Sequence, residues 1–321
     1  MITPVSRKIL ITGAAGNLGG LLARHLASGG HHLRLMYHKR QLPRDLTEAP
    51  HVETIRVDLA DPASLLPAVK DVTTAVHFAG VLFAPRPERF LPETNTRWFA
   101  NLLDACLQEQ LARVILISFP HVEGPTSIDH PATGRLDATP ISVHARTRLE
   151  EERLLMHGTA GTTTVPVILR LGMVYGRGIL MIDAARWLSK HHMLAVWKEP
   201  TWFQLISTID YLRATEAAIL KPNIEGIYHV GDEQPVTLQN FLREASKIWG
   251  CSPPKRLPVW MIFAAAWLCE LFAMLTGSRS PLTRDFIRIG QVSHWGDTSR
   301  FRSELLSHLE YPTLESGLAT L

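Results

Sequence analysis

The sequence has few cysteines, and their arrangement excludes two kinds of site. Cys106, Cys251 and Cys269 are the three cysteines among 321 residues, they lie far apart, and no two form a CxxC pair. An odd number at such spacing argues against a disulfide framework and against a zinc site. We therefore predict no bound metal and a reducing, cytoplasmic compartment. Arg7 and Lys8 lead directly into the first predicted strand, so we also expect no cleavable signal.

The sequence also has no large excess of positive or negative charge. The chain has 33 Lys and Arg against 30 Asp and Glu, which gives a net charge of +3. No basic run coincides with an aromatic stripe, so nucleic acid is a poor partner for this chain. A small anionic ligand is the better prediction. The composition, 46% hydrophobic and 20% charged, is typical of an ordinary globular protein.

A glycine turn stands between two regular patterns near the start of the chain. Residues 8–12 (KILIT) form a short apolar, β-branched run that predicts a buried parallel strand. Residues 13–19 (GAAGNLG) follow at once, and residues 21–26 continue with helical spacing. The order strand, glycine turn, helix is the one that binding of a dinucleotide pyrophosphate needs.

Each glycine of this turn has a predicted role. Gly13 permits the tight turn, Gly16 lets the backbone approach the pyrophosphate, and Gly19 lets helix and strand pack closely. The amides at the start of the helix then face the anion. An ordinary strand-to-helix turn is the alternative. The cofactor contacts predicted here also include the neighbouring residues Ala15, Asn17 and Leu18.

Basic residues follow the second predicted strand, residues 32–37 (HLRLMY). His38, Lys39 and Arg40 stand where an NAD-specific site would place an acidic residue on the ribose diol. A 2′-phosphate would be bound favourably there, so we predict NADP(H) in preference to NAD(H). A solvated basic loop is the alternative interpretation.

Two further short strands are predicted to close at residues 57–59 (VDL) and 75–80 (AVHFAG). Asp58 could accept a hydrogen bond from the adenine amino group. Small residues at the carboxyl end of a strand lie where a ligand crosses the strand tips, although simple close packing is the alternative for Ala79 and Gly80. The predicted cofactor contacts of this part are Asp58, Leu59, Phe78, Ala79 and Gly80.

These motifs, in this order, resemble the extended short-chain dehydrogenase/reductase family, which includes sugar-nucleotide epimerases and dehydratases. The resemblance includes Asn95 in a helix start (ETNTRWFANLLDAC) and covers most of the chain. It continues through four further segments, residues 114–124 (VILISFPHVEG), 169–176 (LRLGMVYG), 205–210 (LISTID) and 226–237 (GIYHVGDEQPVT).

The resemblance implies an α/β fold, a Rossmann-type doubly wound parallel sheet. Residues 1–176 would form the NADP(H)-binding domain, with later segments returning to it, and residues 177–321 a smaller, mainly substrate-binding lobe. The resemblance also implies cofactor contacts by Asn95, Leu171, Met173 and Arg148.

The catalytic residues that the family implies are all substituted. The family uses a Ser or Thr with a Tyr-x-x-x-Lys pair, in which lysine lowers the tyrosine pKa. None of the five tyrosines here has lysine four residues later. The aligned segment, residues 142–150 (SVHARTRLE), puts His144 at the tyrosine position and Arg148 at the lysine position. Phe119 stands at the serine position, with Ser118 one residue earlier.

Chemistry at these positions is still conceivable, and we take His144, Arg148 and Ser118 as the catalytic candidates. Histidine titrates near neutrality, so His144 could transfer a proton without help. Arg148 could hydrogen-bond the nicotinamide ribose, and its fixed charge would bias His144 toward the neutral form. The alternative is a surface pair, because residues four apart share one helix face anyway. His121 is a weaker candidate, with a loop position as its alternative.

The second half of the sequence contains its most apolar stretch, residues 257–276 (LPVWMIFAAAWLCELFAMLT). It has about the length of a membrane span, but Pro258 and Glu270 argue against one and favour a buried or interfacial helix. The stretch resembles the apolar C-terminal helix region of steroid-dehydrogenase-like and flavonol-reductase-like members of the superfamily, and this resemblance implies a hydrophobic substrate or peripheral membrane contact. Asp210 is predicted to be structural, at a helix start. Four aromatic residues are predicted either to wall an apolar pocket or to pack in the core: Trp187, Trp197, Trp202 and Phe203.

Two functional hypotheses follow. The first is an NADP(H)-dependent oxidoreductase or epimerase that acts on a carbonyl or alcohol of a small, fairly apolar molecule, with His and Arg in place of Tyr and Lys. The second is a protein that binds NADP(H) without turnover and serves as a sensor or scaffold. A homodimer is compatible with either hypothesis.

Overall fold

Thirteen strands and eleven α-helices occur in the computed structural model, which describes residues 7–80, 86–278, 280 and 282–321. The strands are β1 (Lys8–Thr12), β2 (His32–Tyr37), β3 (Val52–Arg56), β4 (Thr74–His77), β5 (Arg113–Ser118), β6 (Val165–Leu171), β7 (Met173–Tyr175), β8 (Ala195–Trp197), β9 (Trp202–Phe203), β10 (Leu205–Ser207), β11 (Gly226–Val230), β12 (Val236–Thr237) and β13 (Lys255–Leu257).

The helices alternate with these strands over most of the chain. They are α1 (Asn17–Ser28), α2 (Arg44–Thr47), α3 (Pro62–Val69), α4 (Trp98–Gln108), α5 (Val143–Gly158), α6 (Leu180–Lys190), α7 (Thr208–Leu220), α8 (Leu238–Ile248), α9 (Val259–Thr276), α10 (Arg284–Gly290) and α11 (Leu314–Gly317). A π-helical turn, Pro92–Arg97, leads into α4.

Seven parallel strands form the central sheet in the order β3-β2-β1-β4-β5-β6-β11. The strand order reverses between β1 and β4, which opens a crevice at the carboxyl ends of those two strands. Helices cover both faces: Ile9 belongs to a core cluster with Leu22 of α1, whereas Leu10 belongs to a second cluster with Phe99 of α4. The predicted doubly wound α/β sheet is therefore confirmed.

The strand boundaries refine the sequence prediction. β1 and β2 have the predicted limits, but β3 ends at Arg56 and β4 at His77. The segments 57–59 and 78–80 are therefore not strand ends but the loops that follow. This correction suits a ligand site, because loops beyond the strand tips line the crevice.

The later part of the chain forms a smaller lobe and also returns to the sheet. β11 pairs with β6 in parallel, and α7 packs beside β5 and β6. Three two-stranded pairs, β7 with β10, β9 with β12 and β8 with β13, carry the remaining strands. Trp197 and Phe203 are buried, whereas Trp187 and Trp202 are about half exposed. Of the four aromatic residues, Trp197 and Phe203 therefore pack in the core, the alternative to a pocket wall.

α9 is mostly exposed, so of the two alternatives predicted for it, a buried or an interfacial helix, the buried one does not hold. Within the described residues, α9 is the one helix that is long and apolar enough, by length and composition, to cross a membrane. Its mean hydropathy is 1.8, and only 22% of it is buried. Pro258 is the residue just before the helix, where proline is tolerated. Glu270 faces inward and is buried.

Candidate active site

The turn after β1 has no room for side chains at its three glycines. Gly13 has a φ of +68°, and a Cβ there would lie 3.1 Å from the Ala79 nitrogen. A Cβ at Gly16 or Gly19 would lie 2.9 or 2.6 Å from the Gly13 carbonyl oxygen. The turn is thus held tightly against the loop after β4, and only glycine satisfies it.

The amino terminus of α1 has the features of an anion site. Gly16 stands at its N-cap without a side-chain cap, and no acidic residue lies in the first turn. The first amides of the helix are therefore available to a phosphate, which the helix dipole also favours.

Asn17 links this helix start to the loop before α6. Its Nδ2 donates to the Gly178 carbonyl at 2.6 Å, and its Oδ1 accepts from the Leu180 amide at 2.9 Å. The Asn17 side chain is therefore engaged within the protein, and its backbone is what remains for a cofactor. Tyr211 likewise donates its hydroxyl to the Leu18 carbonyl at 3.0 Å.

The basic loop after β2 is open to solvent. His38 Nε2 lies 3.6 Å from Asp58 Oδ2 across the gap to the loop after β3. Lys39 and Arg40 are exposed and have no hydrogen bond or ion pair to any residue that the structure describes. Two uncommitted cations therefore stand at the tip of β2.

The tip of β4 is fixed by a buried hydroxyl. Thr12 Oγ1 accepts from the amides of Phe78 and Ala79 at 3.2 and 3.3 Å and lies 2.9 Å from His77 Nδ1. Burial, together with the nearby charge of Arg148, lowers the pKa of His77 to about 3. His77 is thus a neutral structural residue that holds the loop carrying Gly80.

Arg148 lies against that loop. A Cβ at Gly80 would stand 3.1 Å from Arg148 Nη2. The guanidinium is mostly buried and forms an ion pair with Glu151, at 2.6 Å between Nη1 and Oε2. Burial raises the pKa of Glu151 to about 7, against the opposing charge of Arg148, and Glu152 adds to the rise. The structure therefore brings Arg148 to the strand tip where the resemblance expects it.

Asn95 lies beside the same loop. It is buried in the π-helical turn, and its Nδ2 donates to Thr147 Oγ1 at 3.1 Å. Its Oδ1 has no hydrogen-bond partner in the described part of the chain. A buried acceptor without a partner is costly, so a ligand donor at this point would be favourable.

His144 is paired with a carboxylate that sequence reasoning missed. Its Nδ1 lies 2.5 Å from Asp285 Oδ2, and the Ser142 hydroxyl donates to the same oxygen at 3.1 Å. The Val143 amide points to the other oxygen at 3.4 Å. Nε2 of His144 has no hydrogen bond to any described residue. The expectation of a solvated surface pair is wrong, because both His144 and the Arg148 side chain are largely buried.

The Asp285 carboxylate is held in its charged form. Burial by itself raises its pKa, but the hydrogen bond and charge of His144, with further hydrogen bonds from Ser142 and Val143, bring the pKa below the ordinary value of 3.8. A charged carboxylate at Nδ1 fixes the orientation of the His144 ring.

Ser118 lies in a different environment from the other two catalytic candidates. Its hydroxyl donates to Glu152 Oε1 at 2.5 Å. Glu152 in turn pairs with the fully buried Arg170, whose Nη1 also contacts Glu123. The hydroxyl is thus engaged in an interior ion network. Phe119, which the resemblance puts at the serine position, contributes an apolar ring.

The remaining predicted contacts are spread along the strand tips. Leu171 ends β6 and Met173 begins β7. The Leu59 carbonyl accepts from Asn101 Nδ2 at 2.9 Å. Asp210, predicted to be structural, accepts from the amides of Glu310 and Tyr311 at 2.7 and 2.9 Å. The Asp210 carboxylate therefore accepts hydrogen bonds from a distant segment, in addition to its place at the start of its own helix.

A cavity of about 300 Å³ borders the first turn of α5. Ser142 and Ala145 line it on the α5 side, and His121 lines it from the turn after β5. Burial lowers the pKa of His121 to about 4, so this ring is neutral at pH 7. Arg288 of α10 also lines the cavity and has no ion pair within the described residues. The remaining walls are mostly apolar: Pro125, Pro140, Ile141, Ile289 and Val292.

No group of three or more His, Cys, Asp or Glu side chains suited to a metal ion occurs in the ranges that the structure describes. The functional groups gathered here are therefore the glycine turn, two free cations, a buried Asp–His pair and an arginine at the tip of β4. No sequence pattern indicated Asp285 as the partner of His144, because 141 residues separate the two.

Comparison with known proteins gives a consistent result. The model of the NAD dependent epimerase/dehydratase family matches residues 9–231. The methionine adenosyltransferase 2 subunit beta of Xenopus tropicalis is 26% identical over 256 residues, which cover 73% of this chain and 70% of that protein. The 2-alkyl-3-oxoalkanoate reductase of Stenotrophomonas maltophilia is 30% identical over 178 residues, about half of each chain (53% and 52%).

Solved structures share the fold. The UDP-glucuronic acid 4-epimerase from Bacillus cereus, in complex with UDP-glucuronic acid and NAD, superposes with a TM-score of 0.76. It is 22% identical, and the match covers 98% of this chain and 97% of that one. The sheet and the smaller lobe described above thus correspond to a fold that holds NAD in that protein.

Proposed function

Because the chain belongs to the NAD dependent epimerase/dehydratase family, we propose that it is an NADP(H)-dependent oxidoreductase or epimerase with an unusual proton-transfer group. His144 and Arg148 take the places of tyrosine and lysine, and the substrate is a carbonyl or alcohol of a small, fairly apolar molecule. The observation that carries this proposal is the buried contact of His144 Nδ1 with Asp285 Oδ2 at 2.5 Å.

The residues present suit a dinucleotide. The glycine turn and the uncapped start of α1 would hold the pyrophosphate, and Asp58 would accept from the adenine amino group. Arg148 and the unpartnered Asn95 Oδ1 stand at the tip of β4, where the nicotinamide end would lie. When bound, the nicotinamide supplies acceptance or donation of hydride.

The preference for NADP(H) is supported by the loop after β2. Lys39 and Arg40 are uncommitted, and a 2′-phosphate would give both of them a charged partner. An NAD-specific site would instead need an acidic residue to accept from the ribose hydroxyls. The Asp58 carboxylate, in the loop after β3, lies toward His38, with 3.6 Å between Oδ2 and His38 Nε2.

The proton step is assigned to His144. With Nδ1–H donating to Asp285, Nε2 of the neutral ring is an acceptor that can take the proton of a substrate hydroxyl. The resulting imidazolium is stabilised by the Asp285 carboxylate and can return the proton to a carbonyl oxygen in the reverse direction. Arg148, whose charge cannot be removed, serves in binding rather than in proton transfer.

The substrate class is proposed from the cavity beside α5. Its volume of about 300 Å³ and mostly apolar walls suit a small molecule with limited polarity. The similarity to a protein named as a 2-alkyl-3-oxoalkanoate reductase supports a carbonyl compound with an alkyl portion.

The proposal is tested by following NADPH oxidation against a panel of alkyl ketones and 3-oxo acids. The wild type is compared with His144→Phe and with the matched control His157→Phe, an exposed histidine on the same helix. We expect turnover in the wild type and the control, and a loss of at least about a hundredfold in His144→Phe. Equal rates in all three proteins would remove His144 from the mechanism.

The second hypothesis, a protein that binds NADP(H) without turnover, is supported by one specific observation. All three positions that the family uses for catalysis are substituted, and Ser118 is engaged in the interior. The similarity to a protein named as a subunit of a methionine adenosyltransferase is in keeping with a role inside another assembly. NADPH binding by calorimetry, with no oxidation against any carbonyl compound, would favour this alternative.

A further inference from the structure

Helix α9 presents a broad apolar surface to solvent. Its side chains are exposed by as much as 68% at Trp260 and 79% at Leu275. A contiguous apolar surface of this kind marks an interaction site on a folded protein. We call it the outer face of α9, and it consists of Trp260, Met261, Trp267, Leu268, Phe272, Met274 and Leu275.

The opposite side of the helix holds it to the folded body. Four buried residues, Ile262, Ala266, Glu270 and Ala273, recur every three or four positions and so form one narrow stripe. This stripe packs toward α10 and β8. Val259 and Phe263, which are partly buried, also pack on the core, and the exposed residues of the outer face lie on the remaining surface of the helix.

The outer face carries no charge. Glu270 is the sole ionisable acid or base in α9 apart from Cys269, and it is turned inward. Its Oε1 accepts from the Arg284 amide at 2.7 Å and its Oε2 from Arg284 Nε at 2.8 Å. The single charge of the helix is thus paired on the buried side.

Cations surround the point where the helix begins. Lys255 and Arg256 are exposed on β13, immediately before α9. β13 pairs with β8, and Arg256 Nη1 reaches the Lys198 carbonyl at 3.5 Å. Lys198 is also exposed, with Glu199 as its acidic neighbour. Three cations against one acid give this rim a positive charge.

We propose that the outer face of α9 docks the protein on an anionic lipid bilayer, with the helix lying in the interface. Tryptophan and phenylalanine beside a basic rim are the combination that binds the boundary between headgroups and acyl chains. A second copy of the chain would cover a stripe of the helix, whereas the unpartnered surface extends around most of it. A fluid apolar phase covers such a surface more completely.

The helix lies on the bilayer rather than crossing it. Eighteen residues span about 27 Å, which is long enough to cross. Crossing would pull the buried stripe off α10 and place Glu270 in hydrocarbon without Arg284, at a high cost. Docking on one side preserves that ion pair and inserts only the side chains of the outer face.

The experiment is sedimentation of the full chain with vesicles of equal parts phosphatidylglycerol and phosphatidylcholine, and with vesicles of phosphatidylcholine alone. We expect binding that is stronger on the anionic vesicles. Trp267→Glu should weaken it by about tenfold, and Lys255→Gln or Arg256→Gln by roughly fivefold each on the anionic vesicles. Brominated lipid should quench the tryptophan fluorescence of the wild type, and the quenching should be weaker in Trp267→Glu, which retains Trp260 on the same face.

The matched control is Trp187→Glu on α6. Trp187 is 54% exposed and Trp267 is 49% exposed, so both variants should fold and differ in the helix they alter. Unchanged vesicle binding in Trp187→Glu supports the assignment to α9. Absence of vesicle binding in the wild type, or equal binding in both variants, would overturn the proposal. A dimer in solution that Trp267→Glu dissociates, without vesicle binding, would instead assign the face to a second copy.

Discussion

His144 and Asp285 are 141 residues apart in sequence, and Nδ1 of the first lies 2.5 Å from Oδ2 of the second. The contact joins the start of α5 to α10 of the smaller lobe. The orientation of His144, beside the nucleotide-binding crevice, therefore depends on the smaller lobe. The same lobe supplies three residues of the cavity wall, Arg288, Ile289 and Val292. The Asp–His pair would therefore connect the proposed proton transfer with the element that would contact the substrate.

Asp285→Asn tests this dependence. Asparagine keeps the shape and can still orient the ring, but it lacks the negative charge that stabilises the imidazolium of His144. We expect kcat to fall by about tenfold to a hundredfold, while the Kd for NADPH stays within about twofold of the wild type. Steady-state kinetics and calorimetry measure the two effects. A fall in NADPH affinity equal to the fall in kcat would indicate a merely structural contact.

The choice of cofactor is tested at the loop after β2. Lys39→Ala and Arg40→Ala should each weaken NADP(H) binding by about tenfold and leave NAD(H) binding nearly unchanged, because only the 2′-phosphate needs these cations. Calorimetry with both cofactors gives the two constants directly. Arg44→Ala, in the next helix, is a control that removes an exposed cation of the same region. An equal loss for both cofactors would contradict the assignment.

The glycine turn yields a prediction about both stability and binding. In Gly19→Ala the new Cβ would lie 2.6 Å from the Gly13 carbonyl oxygen, a backbone atom that cannot move alone. We expect a loss of about 1–3 kcal/mol of unfolding free energy and much weaker NADPH binding. Denaturant titration and calorimetry measure these effects.

Gly29→Ala is the matched control at the other end of α1. Its Cβ would meet the ring of His31 at 3.2 Å, and that side chain can move. We expect stability and NADPH binding close to those of the wild type. A similar loss in both variants would mean that α1 tolerates no alanine at its ends, whatever the turn requires.

His77 predicts a dependence of stability on pH. Its pKa is about 3 in the folded protein against 6.5 ordinarily, because burial and the charge of Arg148 disfavour the cation. Between those values the unfolded chain binds a proton that the folded chain does not, so stability falls as the pH falls. Relative to His77→Gln, the wild type should lose about 2–3 kcal/mol between pH 6.5 and 4.5. Other buried groups titrate in both proteins, so a parallel pair of stability curves would refute the assignment.

The sequence alone was sufficient to predict those structural features that a local pattern determines. The glycine spacing and the apolar strand predict β1 and α1, because these features depend on neighbours within a few residues, whereas the doubly wound sheet followed from the family resemblance. The positions of His144 and Arg148 followed from the resemblance. Asp285 and the Glu151 partner of Arg148 did not, since long-range packing selects which carboxylate a buried cation or ring meets.

Periodicity was also insufficient to place α9. Its sequence is apolar on nearly every side, so the pattern contains no sign of which stripe packs inward. The inward stripe is fixed by Glu270, which needs Arg284 fourteen residues later, and the remaining residues are left outside. Glu270 therefore marks the buried side of α9. Its presence does not prevent the opposite side of the helix from forming an interface.

Ser118 provides a prediction that separates structure from chemistry. Its hydroxyl donates to Glu152 Oε1 at 2.5 Å, and Glu152 also carries the buried Arg170. Ser118→Ala would leave that carboxylate with one donor fewer in a place that water does not reach, at a cost of about 1–3 kcal/mol. We expect a lower Tm and an unchanged kcat. If kcat falls while Tm stays constant, the hydroxyl acts on the substrate and the network reorganises without it.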